Sequence, residues 1–585
     1  MSSRVAILLL VLAIFARPGL SQNRVVIRGG TIINVVDGSL IPDAVLVLEG
    51  DRVASVSRAA NDAASGDVEI DATGKYVIPG FIDSHVHLRE WSMELYLNHG
   101  VTTVLNMGSP PEWVRAQQKA ADTGTLLGPR VIYGSYNFIG PLNGPNGFVR
   151  GHQKVLERPE EAAPAVNGAL RSGASYIKTQ AGVTLEMARA LVQEAKKANL
   201  PVIGHFSEGA NIALQAGADA ITHFGAVSSD LVDHQAQQAA LKNVRRGFRP
   251  PASAFMDFDK ATMLVRDMVR SGMYFNPTVR IGWGGQKILR DKGFPNEDFD
   301  LLINNWDLRY VPLQFKMVDF KEYQQVGEWH WSDLSPVELE LYEQAFVNEQ
   351  RFLKMFADAG GKLMSGVDTP SASVPGIALH QEMELLVDSG VSPLQVLQAT
   401  TVNPAAFVRK LDKLGSLEEG KVGDVVILEG NPLEDIRNTR RIFQVISRGR
   451  VLDGKYHADF FNPYPYPAAE HSSHYFPSPR IRSAAPDTVQ AGQRNGTVTI
   501  SGTGFIPYSL VRFNGHVLKP EFVEDRQLIV RIPSDLLQPG TFALVVENPD
   551  FAWGTTNARG AGDIAHLGIR GPVSNEFLLH VYASD

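Results

Sequence analysis

A chain of 585 residues with 44% hydrophobic and 20% charged side chains can bury a sizeable core and is globular rather than disordered. At about 150 residues per domain it holds three or four domains, fewer if a barrel absorbs a long stretch. The net charge of −8 and pI near 6.0 exclude a general nucleic-acid or anionic-membrane binder, and the absence of cysteine excludes disulfides, thiolate ligands and lipid attachment through sulfur.

In chain order, the first segment is a leader. Met1-Ser2-Ser3-Arg4 is a short positive start, Val5 to Ala16 is unbroken apolar sequence, and Gly19-Leu20-Ser21 is a small-x-small cleavage pattern. The apolar run is too short to span a bilayer. Residues 1–21 therefore read as a signal peptide cleaved near Ser21, and the protein as exported, periplasmic or extracellular, with no membrane span. Residues 24–75 follow as short β-branched segments broken by Gly and Asp turns. Similar β-rich sequence returns at 412–460, so the two flanking pieces are expected to pair into one small β-sandwich.

Between them, over 76–411, strand and helix patterns alternate. Strands are expected to end near His87, Met107, Tyr136, Thr179, His205, His223, Val279 and Asp368, with the clearest helices at 184–199, 260–272, 336–360, 375–389 and 393–401. Eight such units predict an α/β fold, a distorted (β/α)8 barrel. The interval before Asp368 is long, which places an aromatic-rich insertion at about 226–345 (Trp283, Trp306, Trp329, Trp331, Tyr310, Tyr323), either a substrate lid or a packing excursion. Residues 461–479 read as a Pro/Tyr/Ser/His-rich linker. Residues 480–585 read as a separate all-β sandwich of short strands with Gly, Pro and Asn turns.

The chemistry begins at Phe81-Ile82-Asp83-Ser84-His85-Val86-His87. Side chains two apart on a strand point the same way, so His85 and His87 can close on one ion. Lys178, in the apolar Ser175-Tyr176-Ile177-Lys178-Thr179, is expected to be buried and shifted toward the neutral amine. A neutral amine can add CO2 to give a carbamate, an anionic oxygen ligand able to bridge two metals. Pro201 to His205 and Ala220 to His223 each end an apolar strand in a histidine, and Lys362 to Asp368 ends one in a carboxylate. Residues at such strand ends face the catalytic rim of a barrel. Two divalent ions sharing a hydroxide would satisfy the set, with Asp368 able to take the proton of that nucleophile and pass it to the leaving group.

These pieces give the chain its likeness. Val77-Ile78-Pro79-Gly80-Phe81 through His87, His99-Gly100-Val101-Thr102-Thr103, Gly173 through Lys178, the two later histidines, Gly366-Val367-Asp368-Thr369 and Gly415 through Asp424 together resemble the amidohydrolase superfamily. The nearest branch is that of imidazolonepropionase-like enzymes and metal-dependent Xaa-Pro dipeptidases. The resemblance implies two metal ions, commonly zinc: His85, His87 and Asp368 on one, His205 and His223 on the other, carboxylated Lys178 bridging them. It also implies a (β/α)8 barrel with the flanking sandwich. His380 sits where relatives have a similar helix and reads as packed. Two departures fall where substrate would bind. Phe138 to Gly147 replaces a glycine- and histidine-rich loop, and Phe206-Ser207-Glu208 replaces a small pair. Arg280 suits either a substrate carboxylate or a surface position. The last domain resembles an IPT/TIG immunoglobulin-like domain through Gly502-Thr503-Gly504-Phe505, Val511 to Gly515, Leu528 to Pro533 and Val545 to Pro549.

The functional expectation is an exported metal-dependent amidohydrolase that cleaves amide-type C–N bonds of a small substrate: a cyclic amide, an N-acyl amino acid or a dipeptide. The alternatives are a deaminase, lactonase or phosphotriesterase on the same site, or an inactive cell-surface binding protein. No nucleic-acid partner is expected. The Ig-like domain is suited to binding another protein or a carbohydrate, and homo-oligomerisation is left open.

Overall fold

The computed structural model describes residues 24–58, 67–141, 152–206, 209–281, 286–311, 315, 325–326, 329–330, 334–370, 373–464, 466, 479–494, 496–505, 509–524, 526–548 and 574–583. Residues 1–21, expected to be a signal peptide, lie outside them, as do Trp283, Tyr323 and Trp331 of the expected aromatic insertion. No helix among the described residues is long and apolar enough to cross a membrane.

The two flanking β-rich pieces share one sheet. Its strands run in the order Arg450–Val451, Ile442–Ser447, Val425–Leu428, Tyr76–Pro79, Val25–Ile33, Leu40–Glu49 and Arg52–Ser57, with Val68–Asp71 also paired to Val25–Ile33. The join is antiparallel, Val425 opposite Pro79 and Leu428 opposite Tyr76. Ile27, Leu46, Leu48, Val77, Val425, Ile427 and Ile446 form its core. The apolar run Tyr76 to Ile82 is parted at Gly80: Tyr76–Pro79 belongs to this sheet, and Phe81–Val86 opens the barrel.

Eight barrel strands follow in parallel. They are Phe81–Val86, Val101–Asn106, a third in two pieces (Arg130–Tyr133 and Asn137–Ile139), Ile177–Thr179, Val202–Gly204, Ala220–Thr222, Tyr274–Asn276 and Lys362–Leu363. The third strand breaks where Gly134 passes the Tyr176 ring so closely that a Cβ would collide with it. The first and eighth strands close the ring: Ser84 N–H donates to Ser365 O (3.0 Å), Asp368 N–H to His85 O (2.7 Å) and His87 N–H to Thr369 O (2.7 Å). Strands Phe81–Val86 and Val101–Asn106 are buried at every position because helices cover the outside and side chains fill the inside.

The surrounding helices follow the sequence pattern closely. Leu185–Lys197 is capped by the Thr184 hydroxyl, which accepts from Met187 N–H (3.4 Å), and it buries Met187, Ala188, Leu191, Val192 and Ala195. Pro336–Asp358 starts in a capping box between Ser335 and Glu338, and buried Glu338 also pairs with Arg245 (2.7 Å). The interval 226–345 assigned to an insertion also holds barrel elements, the helix Phe258–Ser271 and the strand Tyr274–Asn276. Past that strand, Phe315 packs tilted against Trp91 (ring centroids 4.4 Å), and Tyr310 joins Leu95, Leu302 and Ile377. Trp306 is half exposed.

The C-terminal region has two antiparallel-rich sheets with a separate core. One holds Arg480–Ala485, Gly496–Thr503, Gln527–Ile532 and Glu521–Glu524; the other holds Thr488–Gln490, Phe577–Tyr582, Gly540–Glu547, Leu510–Phe513 and His516–Leu518. Strict alternation along Gly496–Thr503 turns Val498 and Ile500 inward against Phe513, Leu528 and Leu544.

Candidate metal centre

All six residues singled out by the sequence sit at the C-terminal ends of barrel strands. His85 lies within the first strand and His87 one residue past its end, Lys178 within the fourth, His205 and His223 directly after the fifth and sixth, and Asp368 five residues past the eighth. Asp368 is the hub. Its Oδ1 lies 2.8 Å from His87 Nε2 and 3.5 Å from His85 Nε2, and its Oδ2 lies 4.0 Å from His223 Nε2. The imidazole rings of His85 and His223 are 4.8 Å apart, and those of His205 and His223 are 4.1 Å apart. His85, His223 and Asp368 each offer one ligand atom within 4.8 Å of the others.

Local geometry turns the donor atoms inward. His87 Nδ1 donates to Gly108 O (3.0 Å), because a carbonyl can only accept, which turns Nε2 toward Asp368. His223 Nδ1 meets Thr278 Oγ1 (2.8 Å), whose own proton goes to Pro277 O (2.8 Å), so Nδ1 donates here as well. His85 Nδ1 contacts Thr222 Oγ1 (2.8 Å). Such partners fix ring orientation and raise the basicity of the free nitrogen. The backbone is strained at two of these residues: His223 has φ +69° and Asp368 φ +60°, both in the left-handed region. Gly366 lets the eighth strand lie so close to His85 that a Cβ would overlap the His85 backbone nitrogen. Beneath them the buried Asp83 Oδ1 accepts from His85 N–H (3.1 Å) and Val367 N–H (3.4 Å), stapling the first strand to the eighth. Burial pushes the Asp83 carboxyl up to about 8.

Burial shifts Lys178, His85 and His223 toward their neutral forms, while Asp368 stays charged. Burial drives the Lys178 amine down to about 7, only partly offset by Asp368. Burial also takes His223 down to about 4 and His85 well below its usual range. Burial would raise the Asp368 carboxyl, but His87, His223 and Lys178 outweigh it and hold it below the ordinary carboxylate value. His85 Nε2, His223 Nε2 and Lys178 Nζ are buried with no hydrogen-bond partner. Lone pairs and a neutral amine orphaned around one carboxylate are costly in a protein interior unless a cation completes them. The donor set, imidazole nitrogens and carboxylate oxygen without sulfur, suits a divalent ion such as zinc.

Two further expectations meet different ends. His380 is the packed histidine expected, with Nδ1 on Thr439 Oγ1 (3.0 Å) and Nε2 on His99 O (2.9 Å). Arg280 is neither a surface residue nor a substrate clamp: it is fully buried, ion-paired to Asp298 (2.6 Å) and hydrogen-bonded to Gln381. The misreading has a physical source, since neither partner is local: Asp298 lies 18 positions along the chain and Gln381 101. His152 went unnoticed in the sequence, a single histidine beyond a Gly-rich stretch. It is buried beside His87, ring centroids 6.2 Å apart. The orienting groups Gly108 O, Thr222 and Thr278 leave no pattern of their own either.

Comparison with known proteins agrees with this geometry. The model of the amidohydrolase family matches residues 76–278 and 335–452, and that of the IPT/TIG domain matches 479–559. A solved Xaa-Pro dipeptidase with bound methionine in its active site superposes with a TM-score of 0.51 at 20% identity, over 74% of this chain and 100% of that one. This likeness concerns the fold. Curated relatives match over short stretches: an adenine deaminase of Moorella thermoacetica is 40% identical over 155 residues, 26% of this chain and 23% of that enzyme. An imidazolonepropionase of Streptomyces avermitilis is 51% identical over 49 residues, 8% of this chain and 12% of that enzyme. The chain thus spans less than a quarter of the length of these curated relatives. A family match over more than half of the sequence, on a barrel whose strand ends carry this cluster, makes the chain a member of the amidohydrolase family.

Proposed function

We propose that the protein is an exported metal-dependent hydrolase that cleaves a C–N bond of a small amide-type substrate: a cyclic amide, an N-acyl amino acid or a dipeptide. The observation that carries the reading is the meeting of His85, His87 and His223 on Asp368, with the His85 and His223 Nε2 atoms and the Lys178 amine left unpartnered. In this reading His85, His87 and Asp368 would hold one divalent ion and His205 and His223 a second, with Lys178 as its carbamate the ligand that both would share. The ions, when bound, acidify water and polarise the scissile carbonyl.

The remaining work falls to side chains of the chain itself. The Lys178 amine, which burial shifts toward its neutral form, adds CO2 through its Nζ lone pair, and the proton lost from nitrogen passes to water. Asp368, held ionised, accepts a proton from the attacking water as the water oxygen bonds to the carbonyl carbon. It then donates that proton to the amine nitrogen as the C–N bond breaks. The threonine and carbonyl contacts to Nδ1 hold the imidazoles in register. Hydrolytic deamination of a ring C–N bond is the second reading, favoured by the local matches to adenine deaminases. The IPT/TIG domain is assigned binding of a protein or carbohydrate outside the cell.

A screen of metal-loaded protein against N-acyl amino acids, dipeptides, cyclic amides and aminopurines tests the assignment. Turnover of a member of the first three classes, abolished in His85→Ala, supports it; turnover of aminopurines alone moves the assignment to deamination. Inertness toward every class, in protein retaining its metal, rejects both.

A further inference from the structure

Thr278, whose hydroxyl fixes His223, sits in a conformation its own sequence does not favour. Its φ is +50°, a region that a β-branched residue occupies only when its surroundings force it there. The constraint comes from outside the loop. The next two backbone amides both donate to one side chain: Val279 N–H to Glu382 Oε1 (2.9 Å) and Arg280 N–H to Glu382 Oε2 (2.7 Å). Glu382 lies in the helix Ile377–Asp388 and is fully buried. One carboxylate therefore grips both peptide units that follow Thr278. On the other side Pro277 O accepts from Phe224 N–H (3.1 Å) and from the Thr278 hydroxyl (2.8 Å). The same helix turn holds the Arg280 side chain through Gln381, and His380 anchors the helix to Thr439 and to the His99 carbonyl.

We propose that Glu382 is a positioning residue for the metal centre: by binding the Val279 and Arg280 amides it holds Thr278 where its hydroxyl accepts the His223 Nδ1 proton, leaving Nε2 as the ligand atom. The inference rests on the reading of His223 as a metal ligand. It adds a residue that touches neither substrate nor metal yet sets the tautomer of a ligand. Gln at 382 keeps one acceptor and turns an N–H donor toward the other amide, so the grip is halved at constant volume.

The test uses the full chain as Glu382→Gln, Thr278→Val, Thr278→Ser and the Glu382→Gln/Thr278→Val double variant. Two readouts are taken: zinc affinity by competition with a chromophoric chelator, and imidazole 15N shifts of the metal-free protein, with His223 assigned by its loss in His223→Gln. Thr278→Val is expected to weaken zinc binding about 10- to 100-fold. Glu382→Gln should weaken it in the same direction, and the double variant should be no weaker than Thr278→Val alone. Thr278→Ser, which keeps the hydroxyl, should stay within about threefold of the parent, and His223 in Glu382→Gln should become a mixture of tautomers. Additive losses, or an unchanged His223 tautomer and affinity with only a lowered melting temperature, overturn the proposal. If the parent binds no zinc, the metal reading fails by itself and the tautomer shift alone decides. If Glu382→Gln does not fold, Glu382→Asp, too short to reach both amides, is read by the same shifts.

Discussion

The barrel rim and the C-terminal sandwich bury polar groups on opposite terms. In the sandwich the core is apolar, and its few buried polar groups are paired: Ser509 donates to Asn548, Asn548 donates to Gly504 O (both 2.7 Å), and Glu547 meets Arg512. At the rim the barrel leaves imidazole nitrogens and a lysine amine unpartnered around Asp368, on backbone strained at His223 and Asp368. Folding gains nothing from such an arrangement, and a sequence under pressure for stability alone would replace it. The contrast separates an interior whose polar groups the chain itself satisfies from one whose polar groups it leaves open.

The largest effect should come from removing the hub. Asp368→Asn keeps the shape and discards the charge and the proton acceptor, so turnover should fall by at least about 10³-fold with the circular dichroism spectrum unchanged. Near-parental turnover would remove the mechanism. In the sandwich the effect should invert: Phe513→Ala empties a fully buried site and should cost that domain about 3–5 kcal/mol. Its denaturation transition moves, while turnover stays within about twofold. A parallel loss of activity would show that the barrel leans on the sandwich.

Lys178→Met sharpens the comparison from the other side. It replaces an orphaned buried amine with an apolar chain of similar length, so metal-free protein should gain about 1–3 kcal/mol in chemical denaturation while activity is lost. In the parent, bicarbonate supplied during metal reconstitution should raise activity through the same amine; indifference to it would favour a single ion without the carbamate.

A smaller, pH-dependent effect belongs to Glu349, which accepts the Ser253 hydroxyl (2.6 Å). Burial pushes its carboxyl up to about 7 from an unfolded value of 4.5. The native state therefore holds the extra proton between those values, and stability contributed by this group falls as pH rises from about 4.5 through about 7. Glu349→Gln should flatten that slope in urea midpoints measured across the window; an identical slope would place the proton elsewhere. The smallest effect is expected on the surface. Lys354→Ala breaks an exposed i,i+4 pair with Asp358 (2.8 Å) and should move stability by no more than about 0.5 kcal/mol.

What the sequence made legible follows from the range of the interactions. The period of two along Phe81 to His87 and the apolar strands that end in His205, His223 and Asp368 are local signals, so the barrel and the polar residues at its strand ends could be read directly. Lys178 stood out because an apolar strand surrounds it. Arg280 could not be read, since its fate depends on Asp298 and Gln381, which only the folded chain brings near. The same holds for Thr222, which meets His85 across 137 positions, and for Glu382, which grips its two amides across more than 100. The break at Gly80 was hidden because strands of both the sheet and the barrel are apolar on either side of it.

The most direct test is the metal content of the purified protein, measured together with activity before and after exhaustive chelation. The account predicts one to two equivalents of a divalent transition metal in the parent, well under one in His85→Ala, and hydrolase activity that disappears on chelation and returns with zinc. Full activity in protein stripped of metal would contradict it.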